Sequence, residues 1–338
     1  MKEVAAEAKV SPSTVCRALG TDPQIPEATR KRIRKVATAL GYRPDPLISA
    51  LSRRRRGAAS GVEITTLAYV TNFETADEWM RHPFYGPVFD GAKAQALRNG
   101  YRMEHFWMRE PGMTGERLSR ILYNRGIGGV CIAPTPTDRG RLDLDWTRFS
   151  CVTIGYSLLH PVLHRTTPHH FHAILVASRK LWRRGYTRIG LCLYVSTSPR
   201  VDDLWLSGAL LTQHHNPQAP LKVFLFNDDT RANIPTWALS ENLEVVVSDN
   251  VQALHELQRA GIRAPGDVDY ATLNWTKAEP EIAGINQRPN SIGSAAVDLL
   301  IAQLRRGERG VPEIPVTSMI EGVWVNGPSL LRESVSSK

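Results

Sequence analysis

The first fifty residues contain short helical apolar patterns separated by turn signals, and no other part of the chain limits the fold as strongly. Three apolar residues recur at helical spacing in the first pattern: Val4, Ala5 and Ala8. After a turn at residues 9–10, Ser11 is a favoured helix N-cap, and Pro12 stands at the first helical position, where a missing N–H costs nothing. The sequence therefore predicts two short helices that cross steeply at a tight turn.

The second predicted helix presents small polar groups and one arginine on its outward face. Val15, Ala18 and Leu19 recur at helical spacing and should be buried. The outward face is then formed by four residues: Pro12, Ser13, Cys16 and Arg17. Gly20 should end the helix as a C-cap.

A third predicted helix and a proline-flanked segment complete this region. The third helix covers residues 27–40 and has a strongly basic face. Pro44 and Pro46 form a rigid turn before residues 47–51, which could form little more than one helical turn. So short a helix is marginal in isolation, because nucleation costs more than one turn of hydrogen bonds returns. We expect residues 47–51 to fold only against a partner.

Over these fifty residues the chain resembles the DNA-binding headpiece and hinge of the LacI/GalR (lactose-repressor) family. The resemblance rests on Val4-Ala5, Val10-Ser11, Ser13-Thr14-Val15, Arg17-Ala18-Leu19, Thr29-Arg30, Gly41-Tyr42, Pro44, Pro46-Leu47 and Ala50-Leu51. A bare three-helix bundle with solvated basic faces would not explain why the turn, the cap and the hinge occur together.

The resemblance implies which residues contact double-stranded DNA. Pro12, Ser13 and Arg17 would lie nearest the base edges of the major groove, with Arg17 a candidate for guanine. Phosphates would be held by Ser11, Thr14 and Tyr42. Paired hinge helices would open the minor groove, with Leu51 as the wedge and Ile48 beside it. An ordinary interhelical contact is the alternative role for Leu51.

The distribution of charge agrees with a nucleic-acid module attached to a different kind of domain. The whole chain has 42 Lys+Arg against 33 Asp+Glu, a net charge of +9. Residues 1–56 contain 13 Lys/Arg and 5 Asp/Glu, which leaves a net charge of +1 for the other 282 residues. A run of four arginines at residues 53–56 should add salt-dependent DNA affinity, or serve as solvated charge.

The remaining composition indicates a reducing compartment and no membrane. The four cysteines, which form no Cys-x-x-Cys pair, are Cys16, Cys131, Cys151 and Cys192. We expect free thiols. Without an apolar leader pattern or an apolar run of about eighteen residues, the sequence predicts a cytoplasmic protein.

Beyond a Gly/Ala/Ser-rich linker, apolar strands alternate with amphipathic helices in two successive sets. The sequence predicts strands at residues 64–70, 102–107, 129–133, 151–154, 188–194, 221–226, 243–248 and 269–273. It predicts helices at residues 87–99, 117–123, 171–184, 204–214, 251–259 and 292–305. The resulting fold class is a small all-α helix-turn-helix headpiece plus a two-lobed α/β body with parallel sheets, which the resemblance likens to a periplasmic sugar-binding protein.

The expected domains follow from this pattern and from the resemblance. The headpiece covers residues 1–45, and the hinge helix with the linker covers residues 46–61. The first lobe combines residues 62–157 and 286–316, and the second combines residues 158–285 and 317–332. In such a fold the chain crosses between the lobes three times, so the helix after Pro289 should return to the first lobe.

Ligand groups in such a cleft come from loops at the carboxyl ends of strands. The matching effector-binding candidates are Asn72, Phe73, Phe84, Tyr85, Tyr156, Trp205, Asp249, Asn274 and Trp275. Aromatic faces with amides suit a sugar or a nucleoside-like ligand. Three departures from relatives instead favour an unusual effector or none: Trp205 replaces an arginine, Asn274-Trp275 replaces a carboxylate pair, and His169-His170 replaces Asp-Asn. A local misalignment is the remaining explanation.

Catalytic and metal-binding motifs are weak in this sequence. The histidines at residues 160–172 lack the i, i+4 spacing that zinc sites favour, so we expect surface or cleft-lining histidines and no metal. No nucleophile motif, phosphate loop or dinucleotide loop is present, so the sequence predicts neither an enzyme nor a cofactor.

We therefore expect a homodimeric transcriptional regulator, by preference a repressor, that binds a pseudo-palindromic operator and responds to a small molecule. An effector-independent DNA-binding regulator is one alternative. A solute-binding protein of the transport type is another, although its class has a leader peptide and lacks a basic head.

Overall fold

The computed structural model describes residues 2–19, 25–40, 65–136 and 140–333. The chain divides into two compact units, Met1–Thr65 and Thr66–Lys338, which we describe separately. The first predicted boundary, between residues 45 and 46, lies outside the described residues.

The N-terminal unit contains three helices around a small apolar core. They are α1 (Lys2–Glu7), α2 (Pro12–Leu19) and α3 (Glu27–Ala39). Its core residues are Val4, Ala5, Ala8, Val15, Ala18, Ile25, Ile33 and Ala37. The turn between α1 and α2 closes through Lys9 in the left-handed region (φ 49°) and a hydrogen bond from the Val10 N–H to the Ala5 carbonyl, 3.0 Å long. These elements confirm the predicted helix-turn-helix.

The first lobe of the larger unit is a six-stranded sheet in the order β13-β7-β5-β3-β1-β2. Its strands are β1 (Thr65–Thr71), β2 (Tyr101–Trp107), β3 (Gly129–Ile132), β5 (Ser150–Ile154), β7 (His164–Pro168) and β13 (Thr317–Ile320). A two-stranded pair, β4 (Gly140–Arg141) with β6 (Leu158–His160), flanks this lobe. Its helices are α4 (Tyr85–Arg98), α5 (Gly115–Asn124) and α11 (Pro289–Arg306).

The second lobe is a six-stranded sheet in the order β14-β12-β11-β10-β8-β9. Its strands are β8 (Ile189–Tyr194), β9 (Leu221–Phe226), β10 (Val245–Ser248), β11 (Asp269–Thr272), β12 (Ala283–Asn286) and β14 (Val323–Val325). Its helices are α6 (His170–Trp182), α7 (Thr197–Arg200), α8 (Leu204–His215), α9 (Ile234–Ser240) and α10 (Gln252–Arg259). The pairs β8/β9, β8/β10, β10/β11 and β11/β12 are parallel, and β14 is antiparallel to β12.

The chain crosses between the lobes three times, at Pro168-His169, Gln287-Arg288 and Glu321-Gly322. A hydrogen bond from the His169 N–H to the Ile320 carbonyl, 2.9 Å long, joins the first and third crossings. The carboxyl ends of the parallel strands in both sheets therefore face one cleft.

The lobe boundaries predicted at residues 157/158 and 316/317 were wrong. Strand β7 pairs with β5, and β13 pairs with β7, so both strands belong to the first sheet. The crossings consequently lie several residues later than expected. The segment His164–Pro168, for which the sequence analysis predicts no strand, is a strand of this sheet.

The predicted return of the helix after Pro289 to the first lobe is confirmed, because α11 packs directly on α4. A Cβ atom added to Gly91 would lie 2.0 Å from the Asn290 carbonyl oxygen, and one added to Gly293 would lie 1.9 Å from the Val88 carbonyl oxygen. Glycine at both positions allows the two backbones to touch.

No helix of the described segments is both long enough and apolar enough to cross a bilayer.

Candidate nucleic-acid interface and candidate ligand cleft

The start of α2 forms an exposed polar edge of the headpiece. Ser11, Pro12 and Ser13 are exposed and Thr14 is half-buried. The Ser11 hydroxyl accepts a hydrogen bond from the Thr14 N–H at 3.1 Å, which caps the helix as the sequence predicts. The same oxygen lies 2.7 Å from the Ser13 hydroxyl and 2.8 Å from the Thr14 hydroxyl. This network fixes the direction of three hydroxyl groups at the helix end.

The remaining predicted DNA contacts are Arg17, Tyr42, Ile48 and Leu51. Arg17 belongs to α2, but its side chain is outside the described part of the structure. Tyr42, Ile48 and Leu51 lie outside the described residues altogether. Their roles stay predictions.

Helix α3 adds positive charge to the headpiece. Lys31, Arg32 and Lys35 are exposed. Lys31 forms an i, i+4 pair with Glu27 at 3.5 Å, and both side chains are solvated. Pairs of this type add little stability, so these cations are available for phosphates.

On the first-lobe side of the cleft, the predicted residues form an aromatic cluster. Phe73, directly after β1, stacks on Trp79 at 6.0 Å between ring centres and lies 5.0 Å from the Tyr85 ring. The Phe84 ring meets Tyr85 edge-on at 5.8 Å. Asn72 lies half-buried at the end of β1. The cluster offers carbon surface of the kind that packs against a ring-shaped ligand.

On the second-lobe side, Asp249 is the centre of a polar network at the end of β10. One carboxylate oxygen accepts hydrogen bonds from the Tyr194 N–H at 3.2 Å and from the Asn250 amide at 3.0 Å. The Asn274 side-chain amide donates to the Asp249 carbonyl oxygen at 2.7 Å. Burial raises the pKa of Asp249 to about 6, although hydrogen bonds to its carboxylate oppose the shift.

Two predicted tryptophans have indole N–H groups for which the described residues supply no acceptor. Trp205 is 2% exposed, lies within the second-lobe core and meets His170 edge-on at 4.9 Å. Among the described residues, the indole N–H groups of Trp205 and Trp275 have no hydrogen-bond acceptor. Burial lowers the pKa of His170 to about 3, so this imidazole is neutral at physiological pH.

Two arginines absent from the sequence-based site contact predicted cleft residues. Arg200, at the end of α7, donates hydrogen bonds to the Tyr85 hydroxyl at 2.8 Å and to the Pro136 carbonyl, both in the first lobe. Arg165, on β7, places its guanidinium 4.8 Å from the centre of the Tyr156 ring.

The signals for these arginines were weak in the sequence. Arg165 lies in a polar strand that the periodicity did not reveal. Arg200 lies eight residues before Gly208, whereas the family pattern placed an arginine three residues before that glycine.

The histidines form contacts within the protein. The His169 imidazole caps α6 by accepting the His172 N–H at 3.3 Å, and the His172 imidazole contacts the Glu321 carboxylate. In the described part of the chain, no group of three His, Cys, Asp or Glu side chains is arranged to hold a metal ion. Cys131, Cys151 and Cys192 are buried free thiols.

Comparisons with known proteins agree with both units. Residues 1–45 match the family model of bacterial regulatory proteins of the lacI family, and residues 178–323 match that of a periplasmic binding protein-like domain. The HTH-type transcriptional repressor CytR of Escherichia coli K12 is 24% identical over 341 residues, covering 90% of this chain and 89% of CytR. The HTH-type transcriptional regulator MalR of Streptococcus pneumoniae is 26% identical over 130 residues, 38% of this chain and 37% of MalR.

Solved structures show the same fold over nearly the whole length. A complex of the transcriptional regulator CelR with cellobiose superimposes with a TM-score of 0.56 at 20% identity, covering 99% of both chains. The lac repressor dimer bound to operator and the anti-inducer ONPF superimposes with a TM-score of 0.56 at 16% identity, covering 96% of this chain and 97% of that one. The chain therefore combines the DNA-binding domain of the lacI family of bacterial regulatory proteins with a periplasmic binding protein-like domain, and this combination is that of LacI-type DNA-binding transcriptional regulators.

Proposed function

We propose that this protein is a repressor that binds a pseudo-palindromic operator as a homodimer, with an affinity that a small molecule in the interlobe cleft adjusts. The observation that carries the proposal is the exposed, capped start of α2 in a basic headpiece. Because the operator is chromosomal DNA, the protein would act in the cytoplasm.

In this proposal the residues of the headpiece divide into two roles. Pro12, Ser13 and Arg17 contact base edges in the major groove, while Ser11, Thr14 and Tyr42 position the headpiece on phosphates. A homodimer would place two such helices in successive major grooves, with the operator symmetry matching the protein symmetry. Ile48 and Leu51 would enter the minor groove between the half-sites.

The proposed effector site combines residues from both sides of the cleft. Phe73, Phe84, Tyr85 and Tyr156 supply carbon surface, and Asn72, Asp249, Asn274, Trp205 and Trp275 supply polar groups. A ligand that binds one lobe arrangement more tightly than another shifts the population of the two, and only this difference in affinity can regulate DNA binding.

The test starts from genomic fragments that the pure full-length protein selects. On a selected duplex, Arg17→Ala should cost about 1 to 3 kcal/mol and relax specificity at a single base position, because a bidentate guanine contact is lost. Gel-shift titrations against all single-base variants of the site measure this. Arg183→Ala, which removes an exposed arginine of the body, is the matched control and should bind as wild type does.

If Arg17→Ala instead weakens binding equally for all DNA sequences, Arg17 does not contact a base edge. Selection of no preferred sequence would contradict the proposed function itself. If the affinity for the selected site never changes with small-molecule pools, the regulator is effector-independent.

A further inference from the structure

Arg165 is a buried cation without an ion-pair partner in the described structure. It is 8% exposed, and none of the ion pairs formed by the described residues includes it. The Tyr156 ring supplies a cation–π contact at 4.8 Å, and Asp202 lies close enough to interact electrostatically. Burial nevertheless lowers the pKa of Arg165, which means that these neighbours do not offset the desolvation of its charge.

Arg200 is a second cation whose described partners are neutral. Its guanidinium donates to a phenol oxygen, that of Tyr85, and to a backbone carbonyl, that of Pro136. Arg200 is half-buried and takes part in no ion pair among the residues described. A guanidinium has five N–H donors in a planar fork. Its hydrogen bonds to two neutral acceptors therefore leave N–H donors and a positive charge available to an anion.

The two arginines are connected through neighbouring residues of the first lobe. Arg165 stacks on Tyr156, and the next residue, Ser157, accepts a hydrogen bond from the Thr135 N–H at 2.8 Å. Thr135 precedes Pro136, the carbonyl partner of Arg200. Asp202, which interacts with Arg165, follows Arg200 by two residues. Three contacts and the peptide bonds between neighbouring residues therefore connect the two guanidinium groups.

Two predicted cleft residues, Trp205 and Trp275, have indole N–H groups for which the described residues supply no acceptor. Both indole nitrogens are buried, and an indole N–H can only donate. The aromatic cluster at Phe73 and Tyr85 adjoins Arg200, which donates to the Tyr85 hydroxyl. A ligand rich in acceptors and carrying an apolar face would satisfy both features.

We propose that the cleft binds a small ring-containing anion whose carboxylate or phosphate group is held between Arg165 and Arg200. The inference rests on the proposed function, because it takes the interlobe cleft as the effector site. The anion would supply the ion pair that Arg165 lacks among the described residues, beside the contact with the Tyr156 ring.

The experiment uses the full-length protein and matched sets of probes: neutral hexoses, the corresponding hexuronates and the corresponding hexose 6-phosphates. Thermal shift identifies binders, and isothermal titration calorimetry measures their dissociation constants. At least one acid should bind ten or more times more tightly than its neutral parent. The uronate and phosphate arms tell the two kinds of anion apart.

The variants separate ligand binding from structural roles. Arg165→Gln and Arg200→Gln should each weaken binding of the acid at least tenfold, while Arg183→Gln should bind it as wild type does. Without ligand, Arg165→Gln should unfold at the same or a higher temperature than wild type, because a buried uncompensated charge has been removed. A purely structural arginine would give a lower temperature instead.

Binding of neutral sugars alone, binding of no probe, or unchanged affinity in Arg165→Gln would overturn the inference. DNA selection with the same preparation keeps the two proposals separate. If sequence-specific DNA binding persists in any of those cases, the proposed function stands and the anionic ligand does not.

Discussion

At the scale of single residues, burial decides how the polar groups of the cleft behave. Asp249 is 4% exposed, and burial is the largest influence on its carboxyl group, ahead of the hydrogen bonds that it accepts. His170 is buried beside Trp205 and stays neutral for the same reason. Neither group can be understood from its residue type alone.

Asp249 gives a prediction about stability and pH. Its folded pKa of about 6 is above the ordinary value of 3.8, so the folded state binds this proton more tightly than the unfolded state does. The stability that the protonated carboxyl contributes is therefore present at low pH and is lost as the pH rises through about 6. Relative to Asp249→Asn, the free energy of unfolding of wild type should fall by about 2 kcal/mol between about pH 4.5 and about pH 7.

Urea denaturation of both proteins at the two pH values measures this difference. The exposed Asp143, replaced in Asp143→Asn, supplies the control and should show no such divergence. If the difference in unfolding free energy between wild type and Asp249→Asn is the same at both pH values, burial does not raise the pKa of this carboxyl group.

At the scale of elements, strong periodicity made some elements predictable and neighbouring strands determined the others. Strand β9 and helix α8 follow their predicted ranges closely because their apolar runs are long. Strands β7 and β13 are polar or alternately exposed, and they form because β5 offers an edge to β7 and β7 offers one to β13. The pairing of a strand with a neighbour that is distant in sequence cannot be predicted from the local pattern of residues.

The same contrast applies to the candidate site. Residues directly after the apolar strands β1, β5, β10 and β11 could be placed at the cleft from sequence. Arg165 could not, because its strand was not predictable, and Arg200 could not, because its partners Tyr85 and Pro136 are distant in sequence and belong to the other lobe.

The contact between α4 and α11 leads to a prediction about packing. Gly91→Ala should destabilise the protein by about 3 kcal/mol or more, since the added Cβ would meet the Asn290 backbone at 2.0 Å and backbone cannot move aside cheaply. Gly128→Ala is the matched control: its Cβ would meet the Leu304 side chain at an ordinary 3.7 Å. Chemical denaturation distinguishes them, and equal stabilities would show that the two helices can separate.

At the scale of the whole molecule, two compact units carry different chemistry. The headpiece region concentrates the net positive charge and exposes the start of α2, whereas the body is nearly neutral and builds a cleft between two sheets. Arg200 joins the two lobes directly through Tyr85 and Pro136. The body is thus suited to respond to a ligand and the headpiece to contact DNA.

The most direct test of this account is the affinity of the full-length protein for its selected operator, compared with a shuffled duplex of the same length and composition, by fluorescence anisotropy at physiological salt. The account predicts that the operator binds roughly a thousandfold or more tightly. Equal affinities for the two duplexes would contradict it.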